Sequence, residues 1–351
     1  MSTHDTGTAA AALPPPEHDD ANANGLPIDP RRWMSSLPDR ALLSRISLPG
    51  THDSIARYGY GSICQDQDLA TQLANGIRVF DIRLRYLKGP DGRVNFAVHH
   101  SNYYQYAFFD SLYGGYGSDC KTFVLDDCLK FLAENKQETI VLLIKQEKDV
   151  QKALVFFDAF WNIVGNRDQY NGKPLDDLVY AGRSVPRLGD VRGKIVFVFV
   201  DGDEGKDDPE YKLNNPARGL YWGNIDYMVD ALNPGSNQVT GLDVENHYSD
   251  IMSAKWTKVS AHLQKTFESG PGATNQYVTF VSASRTPDVT HFPRSYADYL
   301  LPQLDAWLST QLQVPRSKVP WGTHFGIVMM DFPTTSTIHL LIQASLSYQY
   351  V

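Results

Sequence analysis

The sequence predicts an α/β fold: one distorted (β/α) barrel of the TIM type, with parallel strands inside and helices outside. Three observations predict it. From about residue 31 onward, short apolar runs of strand length alternate with amphipathic helical patterns, the rhythm of a parallel sheet. About eight such strands in roughly 320 residues fit one barrel better than two domains. Several of those strands end in ionisable residues, and active sites of this architecture sit at the C-terminal strand ends.

The strand candidates, in order, are Ile46–Leu48, Ile77–Arg85, Val94–His99, Thr139–Ile144, Lys194–Val200, Val239–Val244, Tyr277–Ser282 and Phe325–Asp331. Helical patterns lie between them. Asp66–Asn75 stops at Gly76, a residue suited to the left-handed position past a helix end. Lys121–Asn135 sets Val124, Leu125, Cys128, Leu129 and Leu132 on one stripe. Val150–Val164, Tyr248–Glu268, Tyr296–Leu312 and Ser336–Leu346 complete the set. Residues 1–30 are rich in Ala, Pro, Asp and Asn, include Pro14-Pro15-Pro16 and lack periodicity. They read as a disordered tail before one barrel domain over 31–351.

Composition excludes several classes. A hydrophobic content of 42% with 21% charged residues is that of a globular protein. Of the net charge of −8, Asp5, Glu17, Asp19, Asp20 and Asp29 in the tail supply five units, leaving about −3 for the body. No basic block is present, so nucleic acid is not an expected partner. No stretch approaches the roughly 18 apolar residues that cross a bilayer. The N-terminus has no basic region, and Ala9–Leu13 is too short for the apolar core of a signal peptide. That leaves a cytoplasmic location, export by another route, or a leader already removed by processing. Cys64, Cys120 and Cys128 lack metal-type spacing; a Cys120–Cys128 bond is one reading and ordinary thiols are the preferred one.

The clearest physical signal is Val79-Phe-Asp-Ile-Arg-Leu-Arg85. Side chains alternate along a strand, so Phe80, Ile82 and Leu84 share one face and Asp81, Arg83 and Arg85 the other. In a barrel the apolar face meets the helices and the charges point into the lumen. Leaving a polar group buried and unpaired costs about 2–7 kcal/mol, and an ion more. Such charges persist as an internal Asp81–Arg83 pair, or because the lumen opens into a solvated site. The pattern recurs: Lys145 and Glu147 share a face at the end of Ile140–Glu147, Phe325–Asp331 ends in a carboxylate, and Val98-His99-His100 ends in two histidines of which one faces inward. The turn Leu48-Pro-Gly-Thr-His-Asp-Ser54 follows the first strand. Five charged strand ends together favour a catalytic mouth.

Two histidines, several carboxylates, an arginine and a lysine suit phosphoryl transfer. A neutral imidazole takes a proton from an attacking hydroxyl, and a protonated one supplies the leaving oxygen. A guanidinium offers a planar fork for the charge that builds on phosphate. A divalent ion is disfavoured, because Arg83 would place a fixed positive charge where the ion must sit.

These motifs resemble the X region of bacterial phosphatidylinositol-specific phospholipases C. The resemblance rests on Ser47-Leu-Pro-Gly-Thr-His-Asp-Ser54, Gln72-Leu-Ala-Asn-Gly-Ile-Arg-Val-Phe-Asp-Ile-Arg83, the pair His99-His100, Phe131-Leu-Ala-Glu-Asn with Glu138-Thr-Ile, Lys145-Gln-Glu147, Leu188–Val196 and the strand ending at Asp331. It covers roughly residues 40–335. It implies a metal-independent lyase without cofactor that releases diacylglycerol and inositol 1,2-cyclic phosphate. His52 is then the general base oriented by Asp331, and His100 the general acid partnered by Asp53. Arg83, supported by Asp81, holds the phosphate. Lys145, Glu147, Asn246 and Tyr248 fall on the inositol side. The resemblance further implies transient contact of a monomer with a phosphatidylinositol-containing membrane surface, and secretion. The aromatic loop Tyr103–Phe109 beside the mouth suits that contact, or packs on the rim.

Three departures bear on the headgroup. Ser101 follows His100 where glycine is usual, Val200 stands near where an arginine is usual, and Asn246 replaces an aspartate. A binding barrel with weak turnover, or the same chemistry on another phosphodiester headgroup, are the alternative readings.

Overall fold

The computed structural model describes residues 29–108, 123–166, 174–200, 219–222, 242–249, 251–270, 275–285 and 292–350. The tail expected over 1–30 lies outside them except for Asp29 and Pro30. The body begins with a 3₁₀ helix, Pro30–Ser36, whose Asp29 side chain accepts from the Arg31 amide at 2.9 Å.

Among the described residues eleven strands form one curled sheet: β1 Leu48–Thr51, β2 Val79–Lys88, β3 Val94–His100, β4 Tyr103–Ala107, β5 Ile140–Lys148, β6 Val179–Tyr180, β7 Ile195–Phe199, β8 Leu220–Tyr221, β9 Leu242–Glu245, β10 Gln276–Val281 and β11 Ile327–Met330. Eight of them run in the order β6-β7-β5-β2-β1-β11-β10-β9, and every pairing along that path is parallel. Among the described residues the path ends at β6 on one side and β9 on the other, so the barrel is an open, distorted one. Among the described residues seven α-helices accompany the sheet: α1 Leu69–Ala74, α2 Val124–Glu134, α3 Ala153–Asn166, α4 Leu188–Val191, α5 Met252–Glu268, α6 Pro293–Leu312 and α7 Thr335–Ser347.

One expected barrel strand is not part of the barrel wall. Val94–His100 pairs antiparallel with β2, from Lys88↔Val94 to Leu84↔Val98. It then turns at Ser101-Asn102 into β4, which occupies part of the expected aromatic loop; Phe109 lies outside the described residues. The reason is the connection: Gly89-Pro90-Asp91-Gly92 is a tight reversal, with the Gly92 amide bonded to the Gly89 carbonyl at 3.0 Å. Parallel strands would need a long crossover there.

Alternation explains the layers. Phe80, Ile82 and Leu84 of β2 are buried in the core. On β7, Phe197 and Phe199 meet Phe160 of α3, with ring centroids 5.0 and 5.2 Å away. Each fully buried aromatic of this kind stabilises by about 1.5–3 kcal/mol. Val196, Val198 and Val200 take the opposite face and are buried as well, so the position where an arginine was considered is apolar.

Two glycines of the motifs answer to close packing. A Cβ at Gly50 would meet Met329 Sδ at 2.5 Å and Val79 Cβ at 3.1 Å, so a side chain there would force Met329 and β2 to shift. Gly76 closes the first helix at φ +104, as its place in the sequence predicts. Arg78 and Glu138, both from matching motifs, form a buried ion pair at 2.8 Å that ties β2 to the turn before β5.

Candidate active site

Residues of β2 and residues just past β1 and β11 meet in one cluster, and the hairpin β3–β4 brings a further histidine to it. His52 and Asp53 follow β1, Asp81 and Arg83 lie on β2, His100 ends β3, and Asp331 follows β11. All six expected catalytic residues therefore converge.

His52 is the centre. Its Nδ1 lies 2.9 Å from Asp331 Oδ1, and its Nε2 is 2.9 Å from Arg83 Nη2 and 3.5 Å from Asp53 Oδ2. A guanidinium has only donors, so Nε2 must be the acceptor and the ring proton sits on Nδ1, aimed at Asp331. Burial, with Arg83 and His100 nearby, holds His52 well below the ordinary histidine value. The imidazole is thus neutral, with its lone pair turned to the mouth.

Arg83 is held by carboxylates on several sides. Its Nε lies 3.0 Å from Asp53 Oδ1, its Nη2 is 3.1 Å from Asp81 Oδ2, and its Nη1 is 3.8 Å from Glu147 Oε2. Burial opposes its charge, but Asp53, Asp81 and Glu147 outweigh that and keep it cationic. Asp53 is strained into φ +43 and receives its own position from Asp81, whose Oδ2 accepts the Asp53 amide at 3.0 Å. Burial, opposed by Arg83 and His100, pushes the Asp53 carboxyl up to about 6.

His100 donates through Nδ1 to the Ser62 carbonyl at 2.8 Å, leaving Nε2 facing Asp53 Oδ2 at 3.5 Å. A protonated ring in this pose carries its second proton on Nε2, beside the carboxylate and toward the mouth. Its neighbour His99 is buried, packed edge-on against Tyr104, and pushed down to about 4 by burial.

The four residues expected on the headgroup side flank this cluster. Lys145 is the register partner of Arg83 on β5, and its charge acts on His52. Glu147 accepts the Ser101 amide at 2.8 Å as well as approaching Arg83. The Tyr248 hydroxyl is 3.5 Å from His52 Nε2, and Asn246 is buried just past β9. Arg85, expected in the lumen with Asp81 and Arg83, is not in the cluster. The β2–β5 register shifts between Leu84 and Arg85, and Arg85 pairs at 2.5 Å with Asp149 on the rim.

Sequence reasoning missed several supports. Gln65 is buried and donates to the carbonyls of His52 at 2.8 Å and Met330 at 3.0 Å, fixing the two strand ends together. Ser54 Oγ accepts the Asp81 amide at 2.7 Å. Cys64 is a buried free thiol within 4.8 Å of the His52 and Asp331 ligand atoms. Burial raises it well above the ordinary thiol value, so it stays protonated. Cys128 is also a buried free thiol; Cys120 lies outside the described residues. None of these has a motif-like signature. Ligand atoms of His52, Asp53 and Asp81 also lie within 4.8 Å of one another. Arg83 touches all three of those residues or their oxygens, and its charge opposes a cation on that set.

Fold and cluster together define a class: an open β/α barrel that couples two histidines to a carboxylate-held guanidinium, an arrangement able to carry out acid–base chemistry beside a bound anion. The comparisons with known proteins agree with that class. The chain is 27% identical over 297 residues to a 1-phosphatidylinositol phosphodiesterase of Staphylococcus aureus strain Newman, covering 80% of this chain and 84% of the relative. It is 26% identical over 322 residues to the enzyme of that name from Listeria monocytogenes, covering 89% and 84%. Among solved structures, the F249X mutant of the Staphylococcus aureus phosphatidylinositol-specific phospholipase C matches with a TM-score of 0.66 at 25% identity, over 90% of this chain and 98% of that one. The Listeria monocytogenes phospholipase matches in fold with a TM-score of 0.63 at 22% identity, over 90% and 99%. No family model matches the chain. The resemblance to bacterial phosphatidylinositol-specific phospholipases C thus extends over most of the chain, in sequence and in fold.

Proposed function

We propose that this protein is a phosphatidylinositol-specific phospholipase C that cleaves its lipid by intramolecular attack and needs no metal ion. The observation that carries the reading is the single cluster in which Arg83 touches the His52 lone pair while His100 faces the same Asp53 carboxylate. In the first step the inositol 2-hydroxyl gives its proton to His52 Nε2 and its oxygen bonds to phosphorus. The bond from phosphorus to the diacylglycerol oxygen breaks, and that oxygen takes the proton from His100 Nε2. The products are diacylglycerol and inositol 1,2-cyclic phosphate. His52 is left protonated and His100 neutral, the state from which water can open the cyclic ester or the protons can return.

Arg83 supplies the charge that a metal ion would otherwise supply at the phosphate oxygens, and Asp81 and Asp53 hold it in place. Asp331 keeps the His52 proton on Nδ1 and stabilises the imidazolium that forms. Lys145, Glu147, Asn246 and Tyr248 are the headgroup contacts. The buried valines of β7 remove one cationic contact, which supports a headgroup preference shifted from that of the relatives.

The substrate's membrane surface is the partner. Neighbouring structures of the Staphylococcus aureus enzyme are described as concerning modulation of its membrane binding, and here exposed Tyr58, Tyr60, Ile63, Tyr103 and Ile251 stand on loops and strand ends around the mouth. Among the described residues no helix is long and apolar enough to cross a membrane, so contact is peripheral. Action outside the cell, as a monomer, belongs to the same proposal.

The test is turnover of phosphatidylinositol vesicles in excess chelator, followed by phosphorus resonance. A cyclic phosphodiester should appear and should vanish in His52→Ala. Dependence on added calcium, or binding without turnover, would defeat the reading.

A further inference from the structure

Two arginines are buried near the N-terminal ends of the barrel strands, and their surroundings are opposite. Arg78, fully buried before β2, donates to Glu138 Oε2 and to the carbonyls of Leu73, Ile77, Pro30 and Arg31, and lies 4.7 Å from the Phe131 ring centroid. Arg45 ends the 3₁₀ turn Leu43–Arg45 that leads into β1 and is 4% exposed. Its Nε, Nη1 and Nη2 atoms have no hydrogen-bond partner. No carboxylate among the described residues acts on it; the groups that do are the phenols of Tyr348 and Tyr277.

The same place holds a second unsatisfied donor. Tyr348 follows α7, is 6% exposed, and its hydroxyl has no partner. Its ring lies 5.6 Å from that of His324, whose Nε2 is 3.2 Å from the Ser44 carbonyl, and the His324 and Tyr277 rings are 6.4 Å apart. Burial, with Arg45 nearby, pushes His324 down to about 3, so it adds no charge. Burial raises the Tyr348 phenol, which keeps its O–H. A guanidinium does not shed its proton at any ordinary pH. An ion so enclosed persists when an opposite charge is enclosed with it.

We propose that Arg45 and Tyr348 form a binding site for a small monovalent anion of halide size on the floor of the barrel, at the end opposite the His52–Arg83 mouth. One positive charge stands there, which sets the valence, and the burial of both donors sets the size. The guanidinium fork and the phenolic O–H supply the hydrogen bonds. The anion would lock the entry of β1 to the entries of β10 and β11 and the end of α7. Those first strands run in register, Leu48↔Ile327 to Thr51↔Met330, and carry His52 and Asp331 at their far ends. Strands of four residues span only about 13 Å, so a fixed floor fixes the catalytic pair.

The experiment compares sodium chloride, sodium bromide and sodium gluconate at constant ionic strength. In the wild type the halides should raise Tm along a saturating curve by an amount on the order of 2–4 °C, and gluconate should not. Arg45→Met should remove the saturating part. If that variant does not fold, Tyr348→Phe, which loses only the hydroxyl, should shift the halide midpoint upward severalfold. Crystals of the wild type grown in bromide should show an anomalous peak within hydrogen-bond reach of Arg45. Equal responses to halide and gluconate, an unchanged response in the variants, or a bromide map without density at Arg45 would each overturn the proposal.

Discussion

Arg83 Nη2 lies 2.9 Å from His52 Nε2, so the guanidinium fork proposed to bind phosphate occupies the lone pair of the proposed base. A phosphodiester that attracts the fork also frees the base, coupling substrate capture to activation. Lysine keeps the charge but has neither the fork nor the planar reach. Arg83→Lys is expected to lower kcat by about 10²–10³ with a smaller change in KM, measured on phosphatidylinositol in mixed micelles. Retention of a third of the activity would show that the fork is unimportant.

In the proposed mechanism His100 serves the leaving oxygen, and its importance then depends on how poor that leaving group is. An alkoxide from diacylglycerol needs a proton, whereas an aryl oxide such as p-nitrophenolate does not. His100→Ala is expected to lose about 10²–10⁴ in rate on the lipid but less than about tenfold on the p-nitrophenyl ester of inositol phosphate. His52→Ala should fail on both, because the attacking hydroxyl is the same. Equal losses of His100→Ala on the two substrates would remove the acid role.

Asp53 costs stability in exchange for its place between Arg83 and His100. A carboxyl whose folded pKa stands near 6, above an unfolded value near 3.8, holds its proton more tightly when folded. Its stabilising contribution is present at low pH and is lost as pH rises through about 6. Asp53→Asn lacks that loss. The variant should match the wild type near pH 4 and exceed it at pH 8 by on the order of 1–3 kcal/mol, while turnover collapses. Thermal melts across pH 4–8 check this, and a constant gap at all pH values would contradict it. The His52 contribution runs the other way with pH but is common to both proteins.

The alternation Phe80–Arg85 was readable as charges in a lumen because two of its charged residues do face one. The same alternation in Leu242-Asp-Val-Glu245 means something different. Asp243 is met by His262 and Lys265, and Glu245 by Lys255, all from α5, so that charged face turns to a helix. A strand's pattern shows that two faces differ; the partner helix decides which one is inside. Val94–His100 was misplaced for a related reason. Its apolar spacing suits a barrel strand, and only the Pro90-Asp91-Gly92 turn before it marks a hairpin. That His52, Arg83, His100 and Asp331 come together was legible from their motifs, whereas Gln65 and Ser54, which bond to backbone groups beside the cluster, and the buried thiol of Cys64 follow no local pattern.

The rim should act on membranes and not on chemistry. Tyr60 is 70% exposed and Ile251 is 62% exposed, and neither touches the His52 cluster. Gln105 holds the first loop in place, accepting the Arg57 and Tyr58 amides at 3.0 Å and donating to the Tyr58 carbonyl at 2.8 Å. Rings at such positions favour the lipid–water boundary. Replacing both Tyr60 and Ile251 with Ala should weaken vesicle partitioning by roughly tenfold and leave turnover of a short-chain monomeric substrate intact. Sedimentation with vesicles reads the first, and loss of monomer turnover would count against a purely interfacial role.

Ser101 accounts for the glycine expected after the second histidine. Its φ is +53, a left-handed conformation that a side chain enters at a cost of about 1–2 kcal/mol and glycine enters freely. The turn is needed because the Ser101 amide must reach Glu147 Oε1 at 2.8 Å while His100 faces Asp53. Ser101→Gly relieves the strain but gains freedom in the unfolded chain, so stability should rise by no more than about 1 kcal/mol with activity kept. Ser101→Val should lose about 1–3 kcal/mol and most of its turnover, since a β-branched residue resists that backbone and pulls the amide from Glu147. Chemical denaturation of both variants, with kcat for each, decides the matter; a valine variant as stable and active as the wild type would mean that the backbone here is not held by the Glu147 contact.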